Sequence, residues 1–197
     1  MKIILDVETK ADKRLLPIFN QNLTAPKTYK DPEKIQAWIE EKEKEAEQKM
    51  AVDPDYAEIF CIGVNEIGGV IKTMDLPDFC GYLNKLKDIR VEFITFNGKK
   101  FDLPLIIKSG LKQGLNFNYR ELKAMCRRYQ NYHHYDLMEI IGDGEFKSLD
   151  TYLQIYLDIK KKEIDFNTCT DDELREHCVE DLENTEKLYN LFKLIIL

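Results

Sequence analysis

The order of periodicities along this chain predicts an α/β fold, a mixed central sheet flanked by helices. Three observations predict it. The apolar runs at residues 2–8 and 91–98 have the composition of buried strands. Residues 57–76 read as two strands joined by a turn at 66–69, a hairpin. Most of the chain beyond residue 102 shows apolar spacing of the helical kind. A strand, a hairpin, a helix, a strand and then helices build a mixed sheet with helices on its faces. With 197 residues, no internal repeat and no low-complexity linker, one domain over 1–197 is expected.

The elements follow in order. Residues 2–8 (KIILDVE) form the first strand, and 10–31 are irregular, punctuated by Pro17 and Pro26. Residues 31–50 (DPEKIQAWIEEKEKEAEQKM) read as a helix with Asp31 at the N-cap and Pro32 at the first helical position. Its apolar stripe is short, comprising Ile35, Trp38 and Ile39. Beyond it, Glu40–Lys44 and Glu45–Lys49 stand at i,i+4 spacing, and this second half is expected to be solvated. After the hairpin, residues 77–89 alternate at helical spacing. VEFITFNG (91–98) is β-branched and aromatic, and 102–112 read as a helix. The segment 117–136 gives no clear pattern. DLMEIIG, SLDTYLQIYL and the long segment from residue 171 read as helices.

Composition narrows the function. The charge is −7, with 44% hydrophobic and 33% charged residues, an ordinary globular balance that disfavours non-specific coating of nucleic acid. It does not exclude a nucleic-acid enzyme, because bound cations supply positive charge locally. No apolar run is long enough to span a bilayer. MKIILDVETK has too short an apolar stretch for a secretory signal, so a cytoplasmic protein without a membrane partner is expected. The five cysteines form no CxxC pair. They read as small buried residues of a reducing compartment, and with three histidines they make no convincing zinc set.

The chemistry is carried by acids. Asp6 and Glu8 share one face of a strand, where ionised carboxylates repel unless a cation sits between them. Taken alone, such a pair reads as a solvated strand face. Asp102 follows the strand end Asn97-Gly98, where α/β sheets gather functional groups, although an acid there also suits a helix N-cap. His177 and Asp181 are four apart and share a helix face. Hard divalent ions take oxygen ligands, and two of them can activate water and stabilise a leaving phosphodiester oxygen. No phosphate-cradling glycine motif, nucleophile elbow or HExxH accompanies these acids.

In this order the motifs resemble the DEDD superfamily of 3′–5′ exonucleases on the RNase H-like fold. Asp6 and Glu8 in LDVET correspond to its first motif, Asn97 and Asp102 in FNGKKFD to its second, and Asp181 in HCVED to its third. PDYAEIFCIGV, HHYDLMEII and SLDTYL are similar to segments of stand-alone relatives of the proofreading domain of family-B DNA polymerases. The helix at 31–50 is similar to an insertion of phage-type members. The resemblance implies a 3′–5′ exonuclease releasing nucleoside 5′-monophosphates from single-stranded nucleic acid with a free 3′ end, DNA before RNA. It implies two Mg²⁺ or Mn²⁺ ions on Asp6, Glu8, Asp102 and Asp181. One departure stands out. His177 precedes the last Asp by the three-residue gap that one branch gives to Tyr, whereas the branch that uses His leaves four. His177 is expected to act as a general base, with a water-orienting role and a weakened site as the alternatives.

The resemblance further implies that Thr9 and Asn97 hold the terminal nucleotide and that Lys99 and Lys100, with Lys108, flank the second motif. Arg127, Arg128, Tyr129, Tyr132, His133 and His134 read either as a strand-tracking surface or as a polar loop with rings tucked into the core. Asp136 is expected to cap the following helix, and 160–162 is expected to be a solvated lysine run. An endonuclease of the RNase H type and an inactive binding domain on the same fold are the rival expectations. A replication or repair partner that delivers the substrate is left open, its identity not given by the sequence.

Overall fold

The computed structural model describes residues 1–21, 25–87, 89–166 and 168–196, and the expected Glu40–Lys44 pair lies outside the described residues. In chain order the elements are β1 (Lys2–Ala11), a 3₁₀ turn (Lys13–Leu15), α1 (Leu16–Phe19), α2 (Pro32–Ala51), β2 (Ala57–Glu66) and β3 (Ile71–Met74). Then come α3 (Leu76–Lys85), β4 (Glu92–Thr95), α4 (Asp102–Gln113), α5 (Tyr119–Met125) and β5 (His134–Asp136). Finally come α6 (Leu137–Gly142), α7 (Leu149–Leu157) and α8 (Asp171–Ile196). Two compact units divide the chain: Met1–Glu8 with Ile59–Leu197, and Thr9–Glu58.

The larger unit holds the sheet, in the order β3-β2-β1-β4-β5. β1 pairs parallel with β4 and β4 with β5, while β2 and β3 form the expected antiparallel hairpin. Its turn closes with the Gly69 N–H donating to the Glu66 carbonyl at 2.6 Å, and Gly68 takes a left-handed φ of 81° that side chains resist. Because β1 is the middle strand, both its faces are covered: Ile3, Leu5 and Val7 are buried on one side and Ile4 on the other. On the Ile4 side, Cys61 and Ile94 meet Leu137 of α6, Leu153 of α7, and Cys178, Leu182 and Leu188 of α8. Asp6 and Glu8 alternate onto that same face.

α8 lies against β2 across a glycine. A Cβ at Gly63 would fall 2.5 Å from Cys178 Sγ and 2.7 Å from Leu182 Cδ1, so no other residue allows this approach without repacking. The edge strand β5 lies in the stretch whose sequence gave no pattern. Three residues are too few to reveal an alternation.

In the smaller unit α2 begins as expected, with Asp31 accepting from the Glu33 N–H at 3.0 Å and Pro32 opening the helix. The pair Lys49–Glu45 forms at 3.6 Å. The second half of α2 is not wholly solvated, because Ala46 and Met50 are buried. The stretch after β1 is less irregular than expected, containing the 3₁₀ turn and α1, and Phe19 meets Tyr56 edge to face at 4.9 Å.

Candidate active site

Alternation along β1 presents Asp6 and Glu8 toward α8, and one turn of α8 answers them. His177 Nδ1 lies 2.7 Å from Glu8 Oε1, with both side chains about nine-tenths buried. Burial alone would lower the His177 pKa. The Glu8 hydrogen bond and the Asp181 charge outweigh it and raise the imidazole above its ordinary value. Asp6 is driven well above the ordinary carboxylate range, first by burial and then by the charges of Glu8, Asp102 and Asp181. Because these three charges act on Asp6, the four acids form one electrostatic cluster within the larger unit.

Asp102 is the first residue of α4 rather than its cap. Phe101 occupies the cap position and makes no side-chain cap bond. Burial pushes the Asp102 carboxyl up to about 8, against the backbone N–H groups of Asp102 and Val7, which pull it down. The turn that delivers it is locked from below. Asn97 sits at a left-handed φ of 66°. Asp136 is buried and accepts from the N–H of Asn97 at 2.9 Å and of Lys99 at 3.0 Å, while also capping α6 through Met138 at 3.1 Å. Thr95 Oγ1 accepts from the Gly98 N–H at 3.2 Å and lies 2.8 Å from His134 Nε2, and His134 Nδ1 lies 3.0 Å from the Met125 carbonyl. One arrangement satisfies the whole relay: Nδ1–H donates to Met125, and the Thr95 hydroxyl donates to Nε2. Burial supports it by pushing the His134 pKa down to about 3, which keeps the ring neutral.

Asp181, one turn beyond His177, pairs through Oδ1 with the ammonium of Lys161. The Lys161 N–H donates to Asp150 at 3.0 Å, which ties the segment after α7 back to that helix. A cleft of about 340 Å³ opens beside His177, lined by Lys162, Ile164, Cys169, Glu173, Glu176 and Glu180 among others. Phe166, 58% exposed, meets the His177 ring edge to face at 5.3 Å.

The structure thus brings together Asp6, Glu8, Asp102, His177 and Asp181. It removes the ammonium of Lys99 from any substrate surface. The Asp136 bond to its N–H turns the chain inward, and Nζ pairs with Glu139 at 3.0 Å with only 1% of the side chain exposed. Lys100 is exposed, and Asn97 is half-buried. Thr9 belongs to the smaller unit, where its hydroxyl donates to the Ala51 carbonyl at 2.6 Å. The basic and aromatic stretch divides. His134 is core, and Arg128 pairs with Glu139 at 2.9 Å, while Tyr129 and Tyr132 are exposed. Lys161 was missed. The 160–162 run is not uniformly solvated, because Ile159 and Lys161 turn inward while Lys160 and Lys162 stay exposed.

Asp6, Glu8 and Cys178 offer ligand atoms all within 4.8 Å of one another. Oxygen donors that repel one another fit a hard divalent cation, and the ammonium drawn onto Asp181 indicates the sign of charge the cluster attracts. Among the described residues no helix is long and apolar enough to cross a membrane.

Residues 76–195 match a family described as "Predicted 3'-5' exonuclease related to the exonuclease domain of PolB". No curated protein is detectably similar in sequence. In structure the chain is similar to the family B DNA polymerase from the hyperthermophilic archaeon Pyrobaculum calidifontis, with a TM-score of 0.58 and 12% identity over 97% of this chain. It spans 24% of that polymerase chain, and the likeness is one of fold.

Proposed function

This chain belongs to the family of predicted 3′–5′ exonucleases related to the exonuclease domain of PolB, and from that premise we propose that it shortens single-stranded DNA from the 3′ end, with RNA as the second candidate. The observation that supports this reading most is the convergence of Glu8, Asp102 and Asp181 on Asp6, with His177 bonded to Glu8. Exonuclease domains of this kind use divalent metals. Mg²⁺ or Mn²⁺, two ions held by the four acids, would polarise the phosphodiester, acidify the attacking water and offset charge on the leaving oxygen.

The chain's own groups have distinct tasks. Glu8 Oε1 accepts from His177 Nδ1–H and fixes the ring, which leaves Nε2 to take a proton from the attacking water. Water adds to the terminal phosphorus, the bond to the 3′-oxygen breaks, and that oxygen takes a proton from solvent. The products are a nucleoside 5′-monophosphate and a chain one residue shorter with a 3′-hydroxyl. Asp136 and the Thr95–His134 relay hold the turn that carries Asn97 and Asp102. Asn97 and the exposed Lys100 face the terminal nucleotide. Lys161 holds Asp181 in place. The free cysteines favour a reducing cytoplasm as the compartment.

The test is a single-turnover digest of 5′-labelled single-stranded DNA with Mg²⁺ or Mn²⁺, with EDTA, and with Asp6→Ala. A metal-dependent ladder shortening from the 3′ end and absent in the variant is expected. Wild-type rates in Asp6→Ala would sink the metal assignment. Internal oligomers would indicate an endonuclease, and no cleavage of DNA or RNA would leave a binding domain.

A further inference from the structure

We propose that Arg128, Tyr129 and Phe146 form a stacking platform that takes a base of single-stranded nucleic acid upstream of its 3′-terminal nucleotide. The proposal rests on the exonuclease reading and adds to it a second subsite, outside the acid cluster. Arg128 and Tyr129 lie in the loop between α5 and β5, and Phe146 lies between α6 and α7. The Arg128 guanidinium carbon stands 5.1 Å from the centroid of the Tyr129 ring and 5.0 Å from that of Phe146. An arginine against rings is commonly a latch that covers its own stem. Here the rings are themselves left in solvent, Tyr129 66% exposed and Phe146 40%. Nor does the charge need them, because Arg128 Nε already donates to Glu139 at 2.9 Å. The guanidinium occupies one face of the Tyr129 ring and leaves the other open to a base.

The fold presents that ring at a cost. Tyr129 sits at a left-handed φ of 59°, which a bulky residue resists. The buried carboxylate of Glu139 holds it there. Oε2 accepts from the Tyr129 N–H at 2.9 Å and from Lys99 Nζ at 3.0 Å, while Oε1 accepts from Arg128. Asn131 Oδ1 accepts from the same ammonium at 3.4 Å. Backbone strain that the surroundings maintain gathers where a side chain must meet a ligand. Lys99 is also the bridge to the acids. Asp136 holds its N–H together with that of Asn97, in the turn that leads to Asp102. Platform and acid cluster thus share one connected scaffold within the larger unit. Lys100, beside that bridge, and Arg127, beside Arg128, are exposed and supply cations for phosphates. Rings that take the face of any base, with cations for the backbone, fit a single strand, whose bases are free to stack.

The test measures the anisotropy of a 5′-labelled oligothymidylate of ~12 nucleotides on the full chain carrying Asp6→Ala, so that no cleavage intervenes. Adding Tyr129→Gly removes the ring at a φ that suits glycine. It should weaken binding roughly 5–150-fold, the loss of one base–ring stack. Tyr129→Phe should bind as the parent does. Tyr129→Gly should keep the parent's salt dependence, whereas Arg127→Ala should lower its slope by about 0.7. A strand of the same length that is abasic at every position but the last should bind the parent and Tyr129→Gly alike. Thermal unfolding of each variant confirms an intact fold. Equal affinity of parent and Tyr129→Gly for the full strand, as a platform for a protein would give, would overturn the proposal. So would an equal loss on the abasic strand, or a Tyr129→Phe chain as weak as Tyr129→Gly. The exonuclease reading fails separately: Tyr129→Gly can weaken binding in a chain that cuts neither DNA nor RNA, and DNA can be cut by a chain whose binding ignores Tyr129.

Discussion

Asp102 shows how one residue ties stability to pH. Its folded value of about 8 stands far above the unfolded ~3.9. Between those values the folded, metal-free chain binds more protons than the unfolded one. The stabilising contribution is therefore complete below ~3.9 and is lost as pH rises through about 8. Asp102→Asn should abolish cleavage yet raise metal-free stability at neutral pH relative to acid pH, because the amide stays neutral and escapes the loss tied to the carboxyl's raised pKa, and thermal melts in EDTA across that window would show it. His177→Ala should slow cleavage by ~10²–10⁴-fold if Nε2 is the base. Its single-turnover rate should also lose the pH-dependent rise that wild type shows, and a fall below about tenfold would demote His177 to a structural role. That Asp6 and Glu8 share one face and His177 and Asp181 another was legible because alternation on a strand and four-residue spacing on a helix fix a face from sequence alone, whereas Asp102 was found through the strand end before it and the resemblance of its motif. Lys99 and Lys161 were not legible. Which of several neighbouring lysines turns inward is decided by Glu139 and Asp181, acids distant in sequence that only the fold brings near.

At the scale of elements, the proposed site lies where β1 meets α8, and Gly63 of β2 sets how closely α8 approaches the sheet. Gly63→Ala should cost about 1–3 kcal/mol, as overpacking of a filled core does. It should reduce cleavage more than its effect on folding explains, because His177 and Asp181 move with α8. Comparing denaturant midpoints with single-turnover rates would separate the two effects, and unchanged values for both would remove Gly63 from this role. The strands were readable where they were long and β-branched, as in β1 and the hairpin. β4 stops at Thr95, short of the run that announced it, because Asn97 turns left-handed to launch the loop toward Asp102. β5 was unreadable because its pairing with β4, and not its own three residues, makes it a strand.

For the molecule as a whole, family membership and the mixed sheet were accessible from ordered motifs that are individually weak. The division into two units was not, because no composition break marks residues 9 or 58. A chain of charge −7 that gathers acids inside should be stabilised by cations. Mn²⁺ at about a hundredfold over its dissociation constant should add about 2.7 kcal/mol. Calorimetry with and without EDTA would detect this, and Asp6→Ala should abolish the gain. The ammonium of Lys161 has a bearing on life without metal. On the reading proposed above it is a tethered counter-charge that neutralises Asp181 when no ion is present. Chelation should therefore silence the protein without melting it, and returning the ion should restore it, so that idle and working forms interconvert with no refolding in between.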